Sequence, residues 1–215
     1  AATKSPFNVN FFCHTPPSPD PARESAWIER LSTYYSEFGL DPADASKGPG
    51  RAPFDEAMCV VIEEMRPPVV SFHFGLPEES LLARVKAAGA QVWSSATTVA
   101  EARWLAARGV DAIIAQGREA GGHRGMFLTD DIDAQPGLMA LLPQVVDAVN
   151  VPVIAAGGIA DGRGVAAAQM LGAVAAQIGT AYLLSPQAST SAVHRAALKG
   201  GRDDTTRLTN LFTGR

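Results

Sequence analysis

The ten residues Gln116-Gly117-Arg118-Glu119-Ala120-Gly121-Gly122-His123-Arg124-Gly125 set one imidazole among four glycines, directly after the apolar run 112–115. Glycines let backbone N–H groups approach a ligand without interference from a Cβ, and a histidine exchanges a proton near neutral pH. A general base or ligand contact carried on a loop is the chemistry this pattern offers. Four neighbouring glycines give His123 little local apolar wall, which favours that reading over core packing. Glu119 is open to two readings, a second acid or base and a salt bridge or backbone contact within the loop.

A second glycine cluster, AAGGIADGRG at 155–164, follows an apolar run that begins at Val151. Gly157 and Gly158 permit a tight turn, and a helix beginning near Asp161 or Gly162 directs unpaired N–H groups and its positive dipole end at it. The turn is a phosphate site in form, although strand-to-helix turns also need glycine for geometry alone. Gln177-Ile178-Gly179-Thr180 closes the next strand. Phosphate sites built from the loops after the last two strands recur in eight-stranded β/α barrels. Other candidate groups carry less. His73 ends an apolar run, where pocket lining and core packing are equally open. His14 stands near Pro16 and Pro17 and reads as exposed, and His194 lies on a helical pattern and reads as solvated. Cys13 reads as a small buried thiol.

Elements that place these groups are legible from patterning. Apolar runs at 7–12, 69–72, 91–93, 112–115, 153–156 and 175–178 lack polar alternation, as strands do when both faces are covered, and predict a parallel sheet. Between them, Thr98 and Glu101 form a capping-box pattern ahead of Val99, Ala102, Leu105 and Ala106, with Gly109 placed as a left-handed cap. Leu138, Leu141, Leu142, Val145, Val146 and Val149 recur at helical spacing before Pro152, and Asp161 caps a helix predicted to run through Leu171 to Gly172. Residues 41–53, DPADASKGPGRAP, have no periodicity and read as an exposed linker or lid. The span 117–137 is long for a strand-to-helix connection, which marks it as functional.

Composition narrows the class. The chain has 215 residues, 47% of them hydrophobic, and a formal charge of −4 with its 18 Lys and Arg scattered. That size fits one domain with a substantial core, and the charge argues against nucleic acid or an anionic membrane as partner. Cys13 and Cys59 have no metal-ligand spacing, so neither a disulfide framework nor a metal site is expected and a reducing, cytoplasmic setting fits. Neither a leader-like start nor a run of about 18 apolar residues occurs, which disfavours secretion and membrane spanning.

Taken together, PFNVNFF at 6–12, SFHFGLP at 71–77, QGREAGGHRG at 116–125, VPVIAAGGIADGRG at 151–164 and QIGT at 177–180 resemble the nitronate monooxygenases, formerly called 2-nitropropane dioxygenases. The resemblance runs from about Pro6 to the end. It implies an α/β fold of the TIM-type (β/α)8 barrel with an added smaller helical region, over one FMN-binding domain at 1–215, and flavin mononucleotide as cofactor. It also implies Asn10, Gln116 and Gly121 as contacts to the flavin ring or ribityl chain. Gly158 with Gln177, Ile178, Gly179 and Thr180 would form the phosphate cradle, and His123 the catalytic base. The implied substrates are a small nitronate or nitroalkane and dioxygen, giving a carbonyl compound and nitrite. The flavin carries the redox step while the protein orients and biases charge.

By the same resemblance the first strand here corresponds to the third of eight. The chain is therefore expected to lack the first two β/α units, to end early, and to be a fragment or to be completed by another copy or segment, since an unclosed sheet exposes edges that invite association. Two other functions fit the same residues. A flavin-dependent enoyl-acyl-carrier-protein reductase shares the barrel and a similar loop but consumes NAD(P)H. A non-catalytic flavin- or phosphate-binding module would retain flavin without turnover.

Overall fold

A computed structural model describes residues 5–44, 52–202 and 204–210. Among them six parallel strands form one sheet in the order in which they occur in the chain: β1 (Asn8–Phe12), β2 (Val69–His73), β3 (Gln91–Ala96), β4 (Ala112–Gln116), β5 (Val153–Ala156) and β6 (Ala175–Gln177). Helices fill the connections: α1 (Pro21–Arg30), α2 (Ser32–Glu37) and α3 (Glu56–Met65) between β1 and β2, then α4 (Glu79–Ala87), α5 (Val99–Ala106), α6 (Leu138–Ala148) and α7 (Gly162–Met170), with α8 (Ala192–Gly200) after β6. Strictly consecutive order belongs to barrels, since an open doubly wound sheet reverses direction at its switch point.

Side-chain alternation shows the same curvature. Val70, Phe72, Val92, Ile113, Ala115, Val153 and Ala155 pack with Ile62, Val85, Leu105, Leu141, Leu142 and Val145 of the helices into one large core. The opposite face buries a small cluster supplied by strands alone, Ala112, Ile114, Ile154 and Ala156 with Trp93 against it. All helices of that core lie on one face, so the fold is α/β with a parallel six-stranded, curled half-barrel sheet. Its concave row nearest the strand ends reads Gln116, Ala156, Gln177 across β4 to β6, and Phe12 pairs with His73 across β1 and β2. Side chains at the C-terminal ends of five strands thus share one edge.

Several boundaries differ from expectation for identifiable reasons. β3 continues through Ser94, Ser95 and Ala96, because Ser94 buries its hydroxyl against the carbonyls of Phe72 and Gly75 and so is no strand breaker. β4 includes Gln116, and β6 stops before Ile178. α6 runs through Pro143. The capping box is rearranged: the Thr98 hydroxyl accepts from Glu101 N at 3.2 Å, but Glu101 reaches back one residue further than Thr98, to Thr97 N. Of the linker at 41–53, Pro42–Asp44 form a 3-10 turn, whereas 45–51 lie outside the described residues. No helix among the described residues is long and apolar enough to cross a membrane.

Candidate functional site

β4 hands the chain to residues 117–137, which contain neither helix nor strand. Such a segment needs other groups to fix it, and buried side chains supply them. The Gln116 carboxamide donates from Nε2 to His123 O at 2.9 Å and accepts from Gly125 N at 2.8 Å. Arg124, 7% exposed, turns its guanidinium back onto Gln116 O and Gly117 O and onto Gln135 Oε1 at 2.8 Å. These bonds close the open carbonyls at the end of β4. Glu119 takes the backbone-contact reading, accepting from Leu138 N at 2.9 Å. It thereby caps α6, whose own cap position, Gly137, has no side chain.

His73 holds the same stretch from β2. Its Nε2 lies 3.1 Å from His123 O, and since a carbonyl only accepts, Nε2 carries the proton. Burial pushes its pKa down to about 4, the charges of His123 and Arg124 add to that, and the bond to His123 O opposes it. His73 is therefore neutral at pH 7. A Cβ on Gly125 would stand 2.5 Å from His73 Cε1, so the loop passes this ring as closely as only glycine allows. Burial also lowers Arg124 to about 10, with Glu101 and Glu119 opposing, and leaves it cationic at neutral pH.

His123 has the wall that its glycine neighbours lack. Phe12 from β1 lies edge-on to its ring at 5.1 Å and Phe74 at 6.0 Å, while Phe74 also meets His73 at 4.7 Å. The expectation of little apolar packing fails because these rings come from β1 and from the turn just past β2, both distant in sequence. Phe74 holds φ +67, a conformation costing a bulky residue on the order of 1 kcal/mol and concentrated at functional sites. It also lines a cavity of about 380 Å³ with His14, Trp104, Phe127 and Asp130. His14 is half-buried against Phe12 and Phe74 instead of exposed beside the prolines.

The glycine turns converge at the other side of the edge. A Cβ on Gly121 would come 2.8 Å from Thr180 Oγ1, and one on Gly157 would come 2.9 Å from Ala120 N, so the turns after β4, β5 and β6 abut. Gly121, Gly158, Gln177, Gly179 and Thr180 are exposed there, and Ile178 is half-buried between them. Asp161 caps α7 as expected, and in doing so its carboxylate takes Arg163 N and Gly164 N at 2.9 and 3.3 Å. Those two donors, read from the sequence as open to an anion, are occupied, which leaves the backbone of the turns themselves. Asn10 lies on the concave face of β1, exposed, with Oδ1 accepting from Ser71 Oγ at 2.8 Å. It is across the arc from the turns. Gln116 has both polar side-chain atoms engaged on the loop. No cluster of metal-ligating side chains occurs among the described residues.

The burial of Arg124 and the packing of Phe12 against His123 escaped sequence reading, although Phe12 lay within the PFNVNFF motif. Arg124 looked like one more loop cation, and only its burial reveals it. Phe74 lay within a recognised motif, but its left-handed backbone has no sequence signal.

A neutral buried imidazole, a second one walled by aromatic rings, and abutting glycine turns on one sheet edge suit a ligand with an anionic end and a planar body. Comparison with known proteins gives that arrangement a lineage. The chain is 46% identical over 214 residues to the nitronate monooxygenase of Pseudomonas aeruginosa, covering 99% of this chain and 61% of that protein. It is 44% identical over 216 residues to the nitronate monooxygenase of Paraburkholderia phytofirmans, covering 59% of it. Among solved structures, a nitroalkane oxidase from Streptomyces ansochromogenes superposes with a TM-score of 0.87 at 40% identity over 99% of this chain and 60% of that one. FabK from Thermotoga maritima superposes less closely, with a TM-score of 0.68 at 28% identity over 52% of its length. The chain thus spans about three fifths of the relatives that match it best among these. The family model for nitronate monooxygenase matches residues 1–215, and the chain belongs to that family.

Proposed function

We propose that the protein containing this chain is a flavin mononucleotide-dependent nitronate monooxygenase, oxidising alkyl nitronates with dioxygen to a carbonyl compound and nitrite. The observation that carries the reading is His123, held by its main-chain carbonyl at the concave edge, walled by Phe12 and Phe74, and carried on the loop whose Gly121 abuts Thr180. The residues present fit the cofactor. Exposed glycines at 121, 158 and 179 offer backbone N–H groups with no side chain in the way, beside the Thr180 hydroxyl.

In this reading Gly158 and residues 177–180 hold the phosphate, and Asn10 and Gly121 face the ribityl chain or ring. Gln116 contributes by fixing His123. When bound, the flavin accepts the electrons that the electron-rich nitronate gives up. His123 removes the α-proton when a neutral nitroalkane is the substrate, or as the imidazolium stands against the nitronate oxygens. Phe12 and Phe74 exclude water on one side, which strengthens either role. We place the protein in the cytoplasm.

The test is turnover on paired substrates by flavin-loaded protein. His123→Asn is expected to lower oxidation of a neutral nitroalkane by about 10²–10⁴ and that of the preformed nitronate far less. Equal losses on both would count against a base. The alternative reading, a flavin-dependent enoyl-acyl-carrier-protein reductase, supplies the competing outcome, NAD(P)H consumption with an enoyl thioester in place of oxygen uptake with a nitronate.

A further inference from the structure

Glu101 is fully buried and has more partners than a helix cap requires. Its Oε2 accepts from Thr97 N and Thr97 Oγ1, both at 2.7 Å, whereas Oε1 accepts from Phe127 N at 2.7 Å and Leu128 N at 3.2 Å. One oxygen therefore serves the turn into α5, and the other serves the loop four and five residues beyond His123. A carboxylate persists away from water only where donors replace its hydration. Four do so here, and the Arg124 cation stands within electrostatic reach.

The residue it holds is no slack end. The Phe127 ring lies edge-on to Trp104 at 5.1 Å, and Trp104 follows Glu101 by three positions, which puts both on one face of α5. Phe127 Cδ2 also sits 3.3 Å from where a Cβ of Gly75 would be. Gly75 follows Phe74, whose ring walls His123 and whose backbone is in the left-handed region. α5 thus presents a carboxylate to the main chain of Phe127 and an indole to its ring, and Phe127 abuts the turn beside the imidazole.

We infer that Glu101 is a positioning residue for the chemistry at His123: by locking Phe127 it fixes both the loop that carries the imidazole and the Phe74–Gly75 wall against which that ring rests. Its hydrogen bonds go to Thr97, Phe127 and Leu128, and the inference rests on His123 acting as the base proposed above. Arg124 and Gln116 hold the near side of the same loop, and Glu101 holds the far side.

Glu101→Gln in the flavin-loaded protein preserves volume and helix and replaces one accepting oxygen by an amide that faces donors. Turnover on a neutral nitroalkane is expected to fall about ten- to hundredfold relative to turnover on the preformed nitronate, at unchanged flavin content. Thr97→Val strips a donor from the same carboxylate on the turn side only, and is expected to change both rates alike. Absence of a split in Glu101→Gln, or the same split in both variants, overturns the inference. Hydrogen exchange on the wild-type protein gives a readout that needs neither activity nor a folded variant. The Phe127 and Leu128 amides are expected to be protected to within about tenfold of those in β4, and exchange at the rate of open coil overturns the anchor. His123→Asn measured alongside separates the two ideas, since loss of its own split removes the base while the exchange result still decides the anchor.

Discussion

His73 and His123 show how one residue type takes two roles from its surroundings. His73 is 8% exposed, donates from Nε2 to a carbonyl and is held near pKa 4 chiefly by burial, so it is a neutral strut. In the unfolded chain a histidine titrates near 6.5. Because the folded pKa is the lower one, the folded state binds fewer protons between those values. The stabilisation is whole above about pH 6.5 and is lost as pH falls toward 4, with a ceiling of about 3 kcal/mol. Urea unfolding at pH 7 and pH 4.5 is expected to show this loss in the wild type and a smaller one in His73→Gln, which cannot titrate. Parallel pH dependence in the two would show that the loss arises elsewhere. The four glycines within residues 116–125 make His123 a candidate legible from sequence; His73 stays open there between pocket lining and core packing, because nothing local to it shows that its partner lies fifty residues away.

At the scale of elements, legibility followed how local the cause was. α5 and α7 were readable from Thr98 and Asp161, whose oxygens accept from N–H groups two or three residues on. The cap of α6 was not, because Glu119 reaches it across nineteen residues. The same distinction governs the turn after β5. Glycine at 158 is demanded by its backbone, φ +67, while the proposed phosphate role adds a demand for open space above it. A Cβ there would lie 3.3 Å from Glu119 Cβ, so Gly158→Leu brings both strain and bulk. Flavin mononucleotide affinity is expected to fall at least about tenfold, or ~1.4 kcal/mol, by fluorescence titration, and the thermal midpoint of the flavin-free chain by only a few degrees. Unchanged affinity would remove Gly158 from the cradle.

Across the whole molecule the sheet is unevenly covered, and stability is expected to follow cover. β4 is buried at every position and pairs on both sides, and β5 is buried throughout between β4 and β6. β6 exposes Ala175 and Gln177 and has Val174 62% exposed beside it, while β1 exposes Asn8 and Asn10. Both outer strands have a partner on one side only among the described residues. Backbone amides open locally at a free energy set by the apolar contacts and paired neighbours that must be broken with them. Exchange measured by mass spectrometry is therefore expected to be slowest in β3, β4 and β5, and faster by at least about tenfold in β1 and β6. The glycine turns lie across this gradient: the turn after β4 leaves the most protected strand, and residues 177–180 leave the least. Bound flavin mononucleotide contacting 121 by its ribityl chain or ring and 158 and 177–180 by its phosphate would tie the weak edge to the strong centre, so adding it should slow exchange in β6 more than in β4. Slowing confined to β4 would mean that the ligand does not reach the 177–180 segment.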